Sequence, residues 1–242
     1  MRHTAYLISI IFLFFTFFIS PSKTYAADWY YPMSQYQTRI KVKDFGTFIN
    51  DAFYKGKESL FPYNRFYGYH AAVDLEVFDN EKDKDAPFYA VGKGKITYVG
   101  NLAGYGGVIL ESLDGENRTA LYGHVRISDF PLKVGDEVSA GQKLAYLGKA
   151  FSTETSGERK HLHFGIHKGT DLYFKGHEAT LGVLNTEWEN PTVYLEGKGA
   201  IDPTIVNPTV SSSPSTPNKT QVHVKAGLLD SIINFFKRLF KF

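Results

Sequence analysis

The sequence predicts a mainly β protein: a small antiparallel β-sheet core, sandwich-like or barrel-like, followed by a C-terminal amphipathic helix. The first observation is an aromatic content of 16%, supplied mostly by Tyr and Phe, which suits strands better than helices. The second is a series of short strand-like runs at close spacing, separated by glycine turns. The third is that neither a βαβ rhythm nor a heptad repeat precedes the C-terminal segment.

The predicted elements follow one another closely along the chain. They are a short helix over 45–54, strands over 88–100, 105–113 and 119–125, a strand–turn–strand unit over 134–144 and a last core strand over 161–167. Asp114-Gly115 signals a hairpin turn between two of these strands. Residues 171–189 are expected to form a loop insertion, after which 191–195 returns to the domain.

The N-terminal residues predict an export signal that is separate from the fold. A basic start precedes an apolar run over 6–19, and small residues follow up to Ala26, a pattern typical of a signal peptide. The apolar run is shorter than the roughly 20 residues that a membrane-spanning helix needs. We therefore predict a signal peptide over 1–26, cleaved after Ala26 or Ala27, and a secreted or cell-envelope protein. An uncleaved membrane anchor is the alternative.

The remaining chain divides into three predicted parts. A folded domain is expected over 27–200, and a Pro-, Ser- and Thr-rich linker over 201–225. In 226–242 apolar residues recur at three- and four-residue steps, and basic residues gather near the end. We predict that this basic amphipathic helix lies on an anionic membrane surface and does not cross it. Packing on its own domain or on a second copy is the alternative.

Composition excludes several kinds of site. The chain has no Cys, so disulfides, thiol chemistry and Cys-based zinc sites are excluded, and a metal site must use His, Asp or Glu. The net charge is +2, and the body of the chain has no basic stripe of the kind that nucleic acid requires. No nucleic-acid partner is expected. The sequence contains no indication of the oligomeric state.

Two motifs supply side chains that bind metals. His70 and Asp74 form H-x-x-x-D, and His161 and His163 form H-x-H. Alternate residues of a strand project from one face, so both imidazoles of H-x-H are expected to reach the same site. Zinc accepts imidazole nitrogen and carboxylate oxygen, and a catalytic zinc site keeps one position open. Each motif alone is a weak signal, but together in an exported β-rich chain they favour a metal site.

These motifs are part of a longer pattern. Its pieces are His70-Ala71-Ala72-Val73-Asp74, Val91-Gly92-Lys93-Gly94-Lys95-Ile96, Gly104-Tyr105-Gly106, Leu121-Tyr122-Gly123-His124, Val134-Gly135-Asp136-Glu137-Val138 and His161-Leu162-His163-Phe164. In order and spacing, residues 64–168 resemble a lysostaphin-type zinc metallopeptidase. That family cuts peptide cross-links of bacterial peptidoglycan. The resemblance implies that 27–200 is a zinc metallopeptidase domain with its site in a groove of a β core.

The resemblance also implies the roles of five side chains. The zinc ligands would be His70, Asp74 and His163, and the catalytic histidines beside the metal would be His124 and His161. No Glu is placed to act as a base, so a histidine must orient the water or accept its proton. The other would stabilise the oxyanion or protonate the leaving amine. The sequence leaves the division of these roles between the two histidines open.

The chain departs from the family pattern at four places. Ala72 stands where the family usually has Gly, Gly165 stands where Glu is frequent, and the insertion after Lys168 is longer. The approach to H-x-H, residues 155–160, is also longer and charged. None of these changes removes a proposed ligand or catalytic histidine, so we expect them to affect specificity more than activity.

The pattern therefore favours an exported zinc endopeptidase that hydrolyses peptidoglycan stem peptides or cross-bridges. One alternative is a non-catalytic regulator on the same fold, which binds peptidoglycan or activates another hydrolase. The other is a carrier or glycan-binding β domain without metal, because the pattern of 134–144 also occurs in biotinyl and lipoyl carriers. Those carriers present a modifiable Lys in the turn, and we find no such Lys there. The bond that is cut is not identified by the sequence.

Overall fold

A computed structural model describes residues 28–62 and 65–203. The predicted signal peptide, nearly all of the predicted linker and the predicted C-terminal amphipathic helix lie outside the described residues and remain predictions. Between residues 28 and 203, apart from 63 and 64, no helix combines the length and apolar character that crossing a membrane requires.

The described residues are mainly β, as predicted. The strands are β1 (Phe48–Ile49), β2 (Gly68–His70), β3 (Val73–Glu76), β4 (Pro87–Tyr89), β5 (Gly94–Leu102), β6 (Gly106–Leu113), β7 (Thr119–Gly123), β8 (Val125–Arg126), β9 (Glu137–Val138), β10 (Lys143–Leu147), β11 (His161–His167), β12 (His177–Glu178) and β13 (Trp188–Glu189). The helices are α1 (Asp51–Tyr54), α2 (Leu181–Glu187) and α3 (Pro191–Gly197).

The strands form three antiparallel sheets. The largest has seven strands. Six of them follow the order β13-β11-β7-β6-β5-β9, and the seventh, β3, pairs with β11. The others have three strands each, in the orders β1-β2-β12 and β4-β10-β8. The predicted hairpin at Asp114-Gly115 is confirmed, because β6 and β7 pair directly across it. These pairings make β3, β7 and β11 neighbours, and the site is built on them.

Alternation along β11 separates the core from the site. Leu162, Phe164 and Ile166 are fully buried in the main hydrophobic cluster. The residues between them point to the opposite side of the sheet, because successive strand residues face opposite ways. This side includes His161 and His163, which are also buried. The strand thus places two polar side chains where apolar packing does not surround them completely.

Two sequence predictions about local structure, the short helix and the strand–turn–strand unit, were right only in part. The helix expected over 45–54 is only α1, and β1 precedes it. Asn50 starts that helix late because its side chain accepts a hydrogen bond from the amide of Phe53. The strand–turn–strand unit over 134–144 is not a paired hairpin, because β9 pairs with β5 while β10 pairs with β4 and β8.

The expected loop insertion over 171–189 was wrong. It contains β12, α2 and β13, and α3 follows directly. Thr180 and Asn190 cap the two helices through their side chains. The buried ring of Trp188 packs on Gly165, where a Cβ would lie 2.9 Å from it. The departure at Gly165 therefore has a physical reason, because a larger residue would displace this ring.

Candidate metal centre

Strand register brings the two sequence motifs together. His70 ends β2, and Asp74 lies in β3 after the buried pair Ala71-Ala72. Antiparallel pairing of β3 with β11 places Asp74 directly opposite His163. The H-x-x-x-D spacing thus spans a strand change, and the neighbouring strand supplies the third side chain.

Three side-chain atoms that could bind a metal ion lie close together at this point. Nε2 of His70 lies 3.2 Å from Nδ1 of His163 and 3.2 Å from Oδ1 of Asp74. The third side of the triangle, between Nδ1 of His163 and Oδ1 of Asp74, measures 3.1 Å. All three residues are buried, and together they form a group that could hold a metal ion. Among the described residues, this is the group that satisfies that geometry.

The triangle fits a small tetrahedral cation. Ligand distances of about 2.0–2.1 Å, as for zinc, place tetrahedral ligand atoms about 3.3–3.4 Å apart. Nδ1 of His70 is 3.4 Å from the carbonyl oxygen of Asp44, and a carbonyl only accepts hydrogen bonds. The proton of His70 therefore belongs on Nδ1, which leaves the lone pair of Nε2 directed into the triangle. Three acceptors this close repel one another unless a cation or a proton lies among them.

The second oxygen of Asp74 is held by cations. Oδ2 accepts a hydrogen bond from Nη2 of Arg159 at 2.9 Å, and Nζ of Lys43 lies 3.8 Å away. Burial of Asp74 favours its neutral form, but its interactions with His161, His70 and Lys43 favour the anion more strongly. They hold the pKa of Asp74 well below its ordinary value. Asp74 is therefore ionised at neutral pH, as a metal ligand must be.

His124 lies beside the triangle in a fixed orientation. Its Nδ1 donates a hydrogen bond to the carbonyl oxygen of Tyr105 at 2.8 Å. Because that nitrogen carries the proton, Nε2 keeps a free lone pair. Burial lowers the pKa of His124 well below its ordinary value. The imidazole is therefore neutral at neutral pH and able to accept a proton.

His161 has a parallel arrangement one strand away. Its Nδ1 donates to the carbonyl oxygen of Arg159 at 2.8 Å, and its Nε2 lies 3.4 Å from Oδ2 of Asp74. Burial lowers the pKa of His161 to about 4. The ring centroids of His124 and His161 are 4.5 Å apart. All five residues singled out by the sequence thus form one cluster.

A cavity of about 170 Å³ opens onto this cluster. His70, Asp74, His124 and His163 line it, whereas His161 lies behind them and is 1% exposed. Apolar side chains, Lys43 and residues 103–105 and 174–177 form the other walls. The groove implied by the family resemblance is therefore a cavity whose wall contains one ionised carboxylate and two lysines, Lys43 and Lys175.

Several residues of the site were not found from the sequence. Lys43 and Arg159 contact Asp74, although neither was proposed as a site residue. His177, in the expected loop insertion, lies in β12 and lines the cavity. No local pattern signals such contacts, since they depend on which strands pair. In the sequence, the charged character of residues 155–160 was the one feature that indicated a role for Arg159. His167, at the end of β11, is buried against Tyr173, with ring centroids 4.6 Å apart.

Comparison with known proteins agrees with this geometry. Residues 68–175 match the sequence profile of Peptidase family M23. Over these residues the chain is similar to Peptidase family M23. The matched segment contains all five clustered residues, from His70 to His163, and all of β2 to β11.

Individual proteins similar to this chain are distant or partial matches. The uncharacterized lipoprotein YgeR of Escherichia coli (strain K12) is 37% identical over 109 residues, which are 44% of this chain and 38% of the lipoprotein. The catalytic domain of lysostaphin from Staphylococcus simulans is 21% identical, with 69% of this chain and 99% of that chain covered and a TM-score of 0.46. A zinc-containing peptidase from Vibrio cholerae is 21% identical, with 58% and 36% covered and a TM-score of 0.41.

Proposed function

We propose that this protein is an exported zinc metalloendopeptidase that hydrolyses peptide bonds of bacterial peptidoglycan, in stem peptides or cross-bridges. The observation that carries the proposal is the triangle of His70, Asp74 and His163, with sides of 3.1–3.2 Å. Similarity of the matched segment to a peptidase family supports a hydrolytic role. The predicted signal peptide, and a relative described as a lipoprotein, support action in the cell envelope.

His70, Asp74 and His163 would hold the zinc ion through Nε2, Oδ1 and Nδ1. When bound, the ion supplies Lewis-acid polarisation of the scissile carbonyl and activation of a water nucleophile. The cavity beside the triangle is where a peptide would approach. Its apolar walls exclude water from that contact, which strengthens the electrostatic interactions within it.

His124 is the group we propose for proton transfer. It lines the cavity, and its Nε2 is free because Nδ1 is bonded to the carbonyl of Tyr105. A neutral imidazole in this position can accept the proton of the attacking water and pass it to the leaving amine. His161 lies behind the cavity wall with Nε2 toward Asp74. We propose that it assists by accepting a hydrogen bond at Nε2, because its Nδ1 already donates to the carbonyl of Arg159.

The non-catalytic alternative is less well supported by the cluster. A regulator needs neither a complete ligand triangle nor an oriented histidine beside it, and this chain has both. The metal-free carrier alternative does not explain why the acceptor atoms of three buried side chains face one another. We therefore favour the enzyme.

Digestion of purified peptidoglycan fragments tests the proposal. The zinc-loaded protein is expected to release peptide fragments that mass spectrometry identifies, which also reveals the bond cut. His124→Ala should keep its zinc but lose about 10²–10⁴-fold in turnover, the usual contribution of general acid–base catalysis. His223→Ala, in the predicted linker, is the matched control and should behave as wild type. A zinc-loaded wild-type protein that releases no fragments would favour the regulator.

A further inference from the structure

Arg159 lies directly behind the candidate metal centre and is 4% exposed. Its Nη2 donates to Oδ2 of Asp74 at 2.9 Å and to Oε1 of Glu76 at 2.6 Å. Its Nε donates to both carboxylate oxygens of Glu76, at 2.9 and 3.1 Å. The guanidinium also lies 4.9 Å from the ring centre of Phe61. These contacts fix both the position and the plane of the guanidinium.

The backbone of the same residue contacts a second member of the cluster. The carbonyl oxygen of Arg159 accepts the hydrogen bond from Nδ1 of His161 at 2.8 Å. Pairing of β3 with β11 places Glu76 opposite His161 and Asp74 opposite His163. Arg159, directly before β11, therefore reaches two carboxylates with its side chain and one imidazole with its main chain.

These contacts divide the two oxygens of Asp74 between different partners. Oδ2 is engaged by Arg159 in a charge-assisted hydrogen bond, a strong interaction when buried. Oδ1 alone faces His70 and His163. A carboxylate held in this way offers one oxygen to a metal ion. Without the guanidinium, only Lys43, 3.8 Å away, would remain as a cation beside Oδ2, and both oxygens could rotate toward the ion.

We propose that Arg159 is a positioning residue that makes Asp74 a one-oxygen ligand and orients His161. The inference rests on the proposed function, because it takes Asp74 to be a metal ligand. It gives a role to the charged approach segment 155–160, which the family pattern does not explain. Residues that orient metal ligands commonly change metal affinity about 10–100-fold when they are altered.

Arg159→Lys is the informative substitution. Lysine keeps the positive charge but presents a point charge in place of the planar fork that bonds Asp74 and Glu76 together. Arg39→Lys is a matched control: Arg39 is also 4% exposed and donates two hydrogen bonds to Glu81, at 2.7 and 2.9 Å. Arg39 also donates to the main-chain oxygen of Glu76 at 3.1 Å. It contacts none of the five clustered residues, so it reports the structural cost of such a change.

Cobalt binding to the full chain tests the role. Co²⁺ replaces zinc in tetrahedral sites, and its visible absorption reports the number of ligand atoms. Wild type and Arg39→Lys should bind Co²⁺ with the same affinity and a four-coordinate spectrum. Arg159→Lys should bind about 10–100-fold more weakly, with a spectrum shifted toward five coordination because both oxygens of Asp74 can reach the ion.

Every other outcome overturns either the role of Arg159 or the proposed function. Wild-type affinity and spectrum in Arg159→Lys would overturn the role of Arg159 and leave the proposed function intact. Equal losses in Arg159→Lys and Arg39→Lys would show a general structural effect and would also overturn it. Failure of the wild type to bind either Zn²⁺ or Co²⁺ would overturn the proposed function itself. If Arg159→Lys does not fold, Glu76→Gln loosens the same guanidinium and should show a smaller loss; unchanged affinity there contradicts the proposal.

Discussion

His124 combines complete burial with a left-handed backbone at φ 62°. Few residues other than glycine adopt this conformation, although histidine does so more readily than most. The preceding Gly123 allows a close approach, since a Cβ there would lie 2.6 Å from the ring of Tyr105. Tyr105 in turn accepts the hydrogen bond that fixes the imidazole. The strain at His124 is thus maintained by its neighbours, as is common for residues in functional sites.

Glu111 provides a pH-dependent test of the scaffold. It is fully buried in β6, and Tyr122 donates a hydrogen bond of 2.5 Å to its Oε2. Burial raises the pKa of Glu111 to about 8, and the bond from Tyr122 offsets only part of this effect. The unfolded chain releases this proton near its ordinary pKa of 4.5. Between those values the folded state holds more protons, so its stability decreases as the pH rises.

We therefore predict that Glu111→Gln stabilises the protein at pH 8 relative to wild type, by on the order of 3 kcal/mol more than at pH 5. The amide resembles the protonated acid in shape but cannot ionise. Thermal melting of both proteins at the two pH values measures the difference. Glu137→Gln, at an exposed position in β9, should show no such dependence. A constant difference between Glu111→Gln and wild type would contradict the raised pKa.

At the scale of single elements, alternation was the reliable signal. It correctly assigned Leu162 and Phe164 to the core and His161 and His163 to the opposite face, because side-chain direction in a strand follows directly from position. Pairing partners were harder to predict. β9 and β10 are close in sequence but pair with different sheets, since pairing depends on contacts with distant strands that local sequence does not specify.

The segment from β12 to α3 shows why turn-rich sequence can be misjudged. Thr180 and Asn190-Pro191 are recognisable helix starts, but the helices are only seven residues each and have weak periodicity. Burial of Leu184, Trp188 and Leu195 holds them in place. Tertiary packing therefore determines this region more than local propensity does.

Trp188→Ala tests whether this segment belongs to the core. Trp188 is 2% exposed and contacts Tyr173 and His167 through its ring. Loss of a large buried aromatic side chain costs about 3–5 kcal/mol, so denaturant unfolding should show a decrease of that size. Val193→Ala, at a position that is 63% exposed, is the control and should change stability by less than about 0.5 kcal/mol. A small effect of Trp188→Ala would mean that the segment is a peripheral insertion.

At the scale of the whole molecule, the sequence predicted the residues of the site better than their surroundings. His70, Asp74, His124, His161 and His163 could be selected because their order and spacing form a known pattern. The distances between their side chains could not be predicted, because the triangle of His70, Asp74 and His163 depends on the register between β3 and β11. Lys43 and Arg159, the cations that contact Asp74, were missed because these contacts also depend on how the strands pair.

The predicted N-terminal and C-terminal segments lie almost entirely outside the described residues. The signal peptide over 1–26, the linker over 201–225 and the membrane-binding helix over 226–242 rest on sequence pattern alone and stay predictions. They agree with a role in the cell envelope, where a linker would let the domain reach its substrate from the membrane surface. The catalytic proposal does not depend on them, because all five clustered residues lie within residues 68–175, the segment that matches Peptidase family M23.

The most direct test is the zinc content of the purified protein after dialysis against a limited zinc supply. Wild type and His124→Ala should each hold about one zinc ion per chain, since His124 lies beside the triangle and not in it. His163→Ala should hold almost none and should melt at a lower temperature, because metal binding contributes to folding free energy. A full complement of zinc in His163→Ala would contradict the assignment of this triangle as the metal centre.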